Sequence, residues 1–261
     1  MKPQERGAPI LSARGVVNRF GKQEVHDRIN LDVLPGEILG IAGGSGSGKS
    51  VLLKTFTGLH QPNAGQVLVD GKRIDAISPA EKASLIGVLF QQGALFSSLS
   101  VAQNIMLPIR EHTDLSAADQ ERIAAMKLAL AGLSAASGSK FPTELSGGMI
   151  KRAAFARALA LDPRILFLDE PTADLDPLTA SGIDALIQQL NQSLGVTVIL
   201  VTHDLTTLFS ICRRVAVLVD KKLTVGTLDE LLRSKEPWIH EFLHGPRAQG
   251  AMTARKQSHG N

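Results

Sequence analysis

Short apolar, β-branched runs bounded by turn residues recur along the chain and predict strands. They are EILGIAG (37–43), QVLVDG (66–71), SLIGVLF (84–90), RILFLDE (164–170), VTVILVTH (196–203) and RVAVLVD (214–220). EILGIAG, RILFLDE and VTVILVTH are apolar on both faces, the pattern of parallel strands covered by helices on each side. The first 36 residues differ: GVVNRFGK and INLDVLPGE alternate and turn, which predicts an antiparallel β-layer beside that core.

Between about 92 and 163 the strands stop. ADQERIAAMKLALAGL carries Ile123, Met126, Leu130 and Leu133 at helical spacing, and SGGMIKRAAFARALA follows as a second helix. The expectation is an α/β domain over 8–245 with a helical subdomain inserted at about 92–163. A short helical segment, TLDELLRSKEPWIHEFL, follows residue 226. The Gly, Pro and polar content beyond it predicts a poorly ordered tail over 246–261, with Arg247, Arg255 and Lys256 solvated.

Composition narrows the classes. At 261 residues and 44% hydrophobic, the chain can bury one large core without staples. Cys212 is the only cysteine, which rules out an intrachain disulfide and a Cys-based metal cluster and fits a reducing compartment; it is expected as a small buried apolar residue. A net charge of +3, from 28 basic and 25 acidic side chains, is too small to imply a nucleic-acid surface. MKPQERGAPILSARG lacks the apolar core of a signal peptide, and VTVILV and RVAVLV are too short to span a bilayer. A soluble protein is expected, with any membrane role arising through partners.

The chemistry concentrates at predicted strand ends. GGSGSGKS matches G-x-x-x-x-G-K-[ST] from Gly43 through Gly48, Lys49 and Ser50, between the strand EILGIAG and the helix SVLLKTFTGL. Glycines there let backbone N–H groups converge on phosphate oxygens, and the helix N-terminus adds its partial positive charge. Lys49 is expected to hold the outer phosphates and Ser50 to ligate Mg²⁺. RILFLDE ends on two acids: Asp169 takes the metal role and Glu170 the general base facing the attacking water. His203 closes VTVILVTH at the same sheet edge, suited to the terminal phosphate. Gln91, ending SLIGVLFQ, offers an amide to Mg²⁺ or water, and Gln92 beside it is the alternative. A second glycine motif, LSGGM (145–149), places Ser146, Gly147 and Gly148 at a helix start with no lysine and no preceding strand. It makes half a phosphate site, and two copies of the chain, each covering the other's ATP, would complete it.

This set of motifs resembles the nucleotide-binding subunits of ABC transporters over residues 10–235. GGSGSGKS is similar to their Walker A, LFQQ to the Q-loop, LSGGM to the signature, RILFLDE to Walker B, TADLD (172–176) to the D-loop and THD to the switch-histidine loop. The resemblance implies a P-loop NTPase core with an antiparallel β-subdomain and an inserted helical subdomain, ATP and Mg²⁺ as cofactors, and a head-to-tail dimer. It implies nucleotide contacts from Gly43, Gly44, Ser45, Gly46, Ser47, Gly48, Lys49, Ser50 and Val51, and in trans from Ser146, Gly147 and Gly148. It also implies metal contacts from Ser50, Gln91 and Asp169, and catalytic roles for Glu170, His203 and Gln91. An aromatic residue under the adenine falls at Phe20, whose other reading is a core position of the β-layer. Met149 and Asp174 depart from the family pattern without removing a phosphate donor.

A narrower resemblance rests on VLFQQGALFSSLSVAQNIMLPIREH (88–112), LSGGMIKRAAFARALALDP and FLHGPR (242–247). These look like the ATPases of Mla/Mce-type, or toluene-tolerance-type, lipid transport systems of bacterial envelopes, in which a methionine at the signature is ordinary. That likeness implies transport of phospholipids or related hydrophobic compounds between inner and outer membranes. It implies a permease, an MCE-domain protein and a small accessory protein as partners, and a peripheral position on the cytoplasmic face of the inner membrane. It places the permease's docking surface at about Gly93 to Leu107, where Leu95, Phe96 and Leu99 are apolar in a Ser-rich stretch that otherwise reads as a loop. The rivals are a subunit for another substrate, a soluble ABC ATPase of iron–sulfur assembly or similar work, and a P-loop kinase, which leaves LSGGM and His203 unexplained.

Overall fold

The computed structural model describes residues 7–91, 93–246, 248, 250 and 251. They form two compact units, one up to Ile77 and again from Thr197, the other Ser78–Val196.

The first unit opens with β1 (Leu11–Phe20) and β2 (Gln23–Val33), antiparallel from Leu11↔Val33 to Phe20↔Gln23. Alternation buries Ile29, Leu31 and Val33 on one face of β2, as the pattern of the first residues predicted; a register shift there, with Arg28 at φ of 49°, then breaks the alternation and leaves His26 buried as well. Next come β3 (Ile38–Gly43), buried along its whole length, and α1 (Lys49–Phe56), whose Leu52, Leu53 and Phe56 enter the core. β4 (Ala64–Val69) pairs with the other side of β1, and β5 (Lys72–Arg73) extends that antiparallel sheet.

The second unit begins with α2 (Pro79–Leu85), then β6 (Ile86–Leu89). The predicted strand at 84–90 therefore starts late. Ser78 caps α2 by accepting from Glu81 N, and Pro79 occupies the first helical turn, so Ser84 and Leu85 finish a helix. A helix also occupies part of the stretch read as a loop. α3 (Val101–His112) starts at a capping box, in which Ser100 accepts from Gln103 N while Gln103 accepts from Ser100 N.

α4 (Ala117–Leu130) and α5 (Gly147–Ala158) follow where they were expected, but α4 buries a different face. Met126 is 54% exposed, while Ala124, Lys127 and Leu128 are buried. Lys127 makes that possible: its aliphatic stem packs inside and its ammonium reaches the exposed carboxylate of Asp162. β7 (Ile165–Asp169) pairs in parallel with β6, Ile86↔Ile165 to Leu89↔Leu168, and α6 (Pro177–Leu194) closes the unit.

The chain then returns to the first unit with β8 (Thr197–Val201), α7 (Leu205–Ile211), β9 (Arg214–Val219), β10 (Lys222–Thr227), α8 (Leu228–Leu231) and α9 (Pro237–His244). β3 lies between β8 and β9, parallel to both, so the apolar runs are the parallel strands the pattern predicted. Sequence reading missed β10, which joins β9 through a two-residue turn with Asp220 and Lys221 both at positive φ. Cys212 is buried. Pro246, Ala248, Gly250 and Ala251 have helical backbone with Ala248 and Ala251 buried, so the start of the tail is not irregular. Residues 252–261, with Arg255 and Lys256, lie outside the described residues, as does Arg247. Among the described residues no helix is long and apolar enough to cross a membrane.

Candidate functional site

Parallel register explains why the chemical residues gather at strand ends. In the first unit Ile41 pairs with Val201, so the glycine loop from Gly43 and His203, each two residues on, leave β3 and β8 at the same carboxyl edge. Ligands of open α/β sheets bind at such edges. The loop needs its glycines: Gly46 and Gly48 have φ of 74° and 103°. A Cβ at Gly48 would fall 2.4 Å from Val25 Cγ1 and 2.8 Å from His26 Nε2, and one at Gly43 would fall 2.6 Å from Leu218 O. Gly48 caps α1 without a side-chain bond, and Lys49 Nζ donates to the carbonyls of Gly43 and Gly44 at 2.9 Å each, laying the ammonium across the loop. Ser47 Oγ is buried with no hydrogen-bond partner, a polar atom suited to an incoming phosphate oxygen. Trp238 of α9 backs the loop from another side, its Cζ2 3.8 Å from where a Cβ on Gly44 would lie. Phe20 is 49% exposed and stacks on His60 with centroids 5.2 Å apart, so it is not a core residue of the β-layer.

Beneath the loop lies a polar cluster that sequence reading missed. Asn18 and His26 are fully buried; Asn18 Nδ2 donates to His26 Nδ1 and to Thr55 Oγ1 at 2.9 Å each, and Thr55 Oγ1 donates to Val51 O at 2.8 Å. With Nδ1 accepting, the neutral ring carries its proton on Nε2, toward Gly48. Burial lowers the pKa of His26 to about 4; the Gly48 backbone opposes that shift and His60 adds to it. The unfolded ring, near 6.5, takes a proton first as pH falls, so this stability is whole above 6.5 and is lost between 6.5 and 4. Between pH 7 and pH 5 the loss is about 2 kcal/mol. Thermal melts of wild type and His26→Phe at both pH values check it: the wild-type melting temperature should drop more than that of the variant.

In the second unit Leu89 pairs with Leu168, so Gln91 and Glu170, again two residues on, leave β6 and β7 at one edge. Gln91 is exposed, and Gln92 lies outside the described residues. Asp169 is 8% exposed, and Glu170 has φ of 49°, a left-handed backbone that non-glycine residues adopt at a cost and that clusters at functional sites. Arg157 of α5 steadies the segment after Gln91 by donating to Gly93 O at 2.9 Å and Ala94 O at 2.7 Å. Ser146 caps α5, its Oγ accepting from Met149 N at 3.3 Å. A Cβ on Gly148 would meet Thr179 Cγ2 at 2.5 Å, which fixes the helix start against α6.

A glycine loop between strand and helix, a buried acid followed by a strained one, and a glycine-opened helix are thus present locally. The family model described as ABC transporter matches residues 26–173. The chain belongs to the ABC transporter family. It is 39% identical over 240 residues to the intermembrane phospholipid transport system ATP-binding protein MlaF of Haemophilus influenzae, covering 90% of each chain. It is also 39% identical to the probable ribonucleotide transport ATP-binding protein mkl of Mycobacterium leprae, covering 91% of this chain and 69% of that one. The ABC cassette MJ0796, solved as a dimer in a post-hydrolysis state with ADP and Pi, superposes with a TM-score of 0.76 at 31% identity, covering 83% of this chain and 98% of that one. CbiO1 of Clostridium perfringens, part of the ABC transporter complex cbiONQ, superposes with a TM-score of 0.78 at 30% identity over 94% of this chain and 99% of its own. This ABC subunit is accordingly an α/β cassette that binds ATP and hydrolyses it to ADP and phosphate.

Proposed function

We propose that this ABC ATPase drives movement of phospholipids or related hydrophobic compounds between the inner and outer membranes of a bacterial envelope. It sits on the cytoplasmic face of the inner membrane, bound to a permease that works with an MCE-domain protein and a small accessory protein. The likeness to MlaF carries the reading, since it spans nine-tenths of both chains, whereas the relative named for ribonucleotide transport is covered over 69% of its length.

In this reading Lys49 and the amides of the glycine loop, with Ser45, Ser47 and Val51 among its residues, bind the phosphates, and Phe20 stacks on the adenine. Such stacking is worth about 1 to 3 kcal/mol per base. The donors of Ser50, Gln91 and Asp169 are hard oxygens, the kind that suit Mg²⁺, which when bound neutralises charge on the outer phosphates. Glu170 takes the proton of the attacking water and His203 orients the terminal phosphate. Ser146, Gly147 and Gly148 act on the ATP of a second copy, where a helix N-terminus and a hydroxyl supplement the phosphate donors. The cassette domain of 8–245, with its helical insert at 92–163, forms one half of that dimer.

The permease docks on the second unit. A groove of about 550 Å³ there is lined by Val88, Phe90, Phe96, Leu107 and Pro108, and Phe96 is 53% exposed. An apolar rim of this kind favours a partner helix. Phe96→Asp is expected to release the chain from membranes while leaving its ATP affinity within about twofold, since hot-spot aromatics dominate such contacts. Co-sedimentation with membranes and nucleotide titration measure the two effects. The function itself is tested by purifying the tagged chain from membranes and extracting its complex for lipid analysis. An integral membrane protein carrying phospholipid is the expected result. Recovery of soluble iron–sulfur scaffold proteins alone would sink it, and a complex that moves ribonucleotides but not lipid would reassign the cargo.

A further inference from the structure

Lys151 lies on α5 five residues after Ser146, and it is 6% exposed. A lysine on the second turn of a helix ordinarily snorkels to water, and a buried ammonium requires acceptors in compensation. Its acceptors here are main-chain oxygens at two strand ends. Nζ donates to Gln91 O and, at 3.1 Å, to Glu170 O. The first belongs to the peptide leaving β6, the second to the left-handed peptide leaving β7, and parallel pairing sets the two residues side by side. The carboxylates of Asp174, Glu170 and Asp169 face the ammonium; burial lowers its pKa and these three charges oppose the shift. The neighbouring cations are engaged elsewhere: Arg152 donates to Ala131 O and Gly182 O, and Arg157 to Gly93 O and Ala94 O.

We propose that Lys151 is a positioning residue that ties the Gln91 peptide to the Glu170 peptide, so that the residue sensing the nucleotide's metal and phosphate and the residue activating water move as one body. The inference rests on the roles given to Gln91 and Glu170 above. Two backbone acceptors bound by one cation transmit displacement directly: a shift of Gln91 on nucleotide binding pulls on the carbonyl of Glu170. The anchor of that link is the signature helix itself, which in the dimer carries Ser146 to the neighbouring ATP. Each active site is thereby connected to the glycine motif it lends to its partner.

Three variants test it. Lys151→Met removes both bonds and the charge, Lys151→Gln keeps a neutral donor in case the methionine variant folds poorly, and Lys151→Arg keeps a cation with a fork able to serve two carbonyls. For Lys151→Met, amide exchange should quicken together in the segments after Gln91 and after Glu170, by at least about tenfold if the link closes both. Its kcat should fall about 10- to 100-fold, the cost of ångström-scale misplacement of catalytic groups, while KM and ATP affinity stay within about threefold. Lys151→Gln should fall between, and Lys151→Arg should recover kcat and exchange protection. Unchanged kcat in Lys151→Met, quickened exchange in one segment only, or a joint loss of kcat, affinity and melting temperature that arginine does not restore would each overturn the proposal. Its failure is distinguishable from failure of the underlying roles: coupled exchange without a catalytic Glu170 leaves the link standing, and a catalytic Glu170 with uncoupled exchange removes the link alone.

Discussion

Glu170→Gln is expected to lower ATP turnover about 10²- to 10⁴-fold, the usual worth of a general base, with ATP affinity essentially unchanged. The substitution is nearly isosteric and keeps the carbonyl that Lys151 binds at 3.1 Å. What it removes is the carboxylate able to accept a proton. Asp169, one residue before, is buried at the end of β7, so the metal ligation proposed for it is expected to persist in the variant. Steady-state phosphate release beside nucleotide titration reads both quantities. Full activity in the variant would remove Glu170 from the chemistry and move attention to Gln91 and His203.

Ser146→Arg should abolish hydrolysis while the isolated chain still binds ATP. Ser146 lies in the second unit and caps α5, whereas Lys49 and the glycine loop lie in the first. An arginine there costs the N-cap about 1 kcal/mol, too little to unfold the chain, but it places a long cation where a second copy's nucleotide has to approach. Ser146→Ala separates the effects, because it loses the cap and the hydroxyl without adding bulk. Turnover near wild type in Ser146→Arg would show that LSGGM does not meet nucleotide in trans. Mixing Ser146→Arg with Glu170→Gln supplies the complementary measurement: each composite dimer holds one site with both defects and one with neither, so partial activity should return.

The framework of the candidate nucleotide elements was legible because the proposed chemistry constrains both residue type and neighbourhood. Gly48 and Lys49 need a strand before and a helix after, and β3 and α1 supply them at the expected positions. Asp169 and His203 follow apolar runs so continuous that the strand ends could be read almost to the residue. What sequence reading lost were positions where a polar residue does something unusual. Asn18 and His26 look like the wet face of an alternating strand and are fully buried, held by the Asn18 amide, which donates to His26 Nδ1 and Thr55 Oγ1, while Asn18 Oδ1 and His26 Nε2 have no hydrogen-bond partner. Lys127 and Lys151 look like solvated helix positions and lie inside, each finding oxygen acceptors far along the chain. The turn at Asp220 and Lys221 lacks the Asn-Gly or Asp-Gly pair that usually announces such a hairpin, so β10 passed unnoticed. Gln91 and Gln92 are the same residue type, and composition offers nothing to choose between them.

The packing of Trp238 against Gly44 also has a spectroscopic consequence. The chain contains one tryptophan and no tyrosine, so its intrinsic emission comes from a single indole. That indole is stacked on Phe242 with centroids 4.8 Å apart, and it lies 3.8 Å from where a Cβ on Gly44 of the glycine loop would stand. If nucleotide enters the loop as proposed, the surroundings of this one fluorophore are expected to change. A change in tryptophan emission on adding ATP is the expected result, and it would let the variants above be titrated without adding a dye.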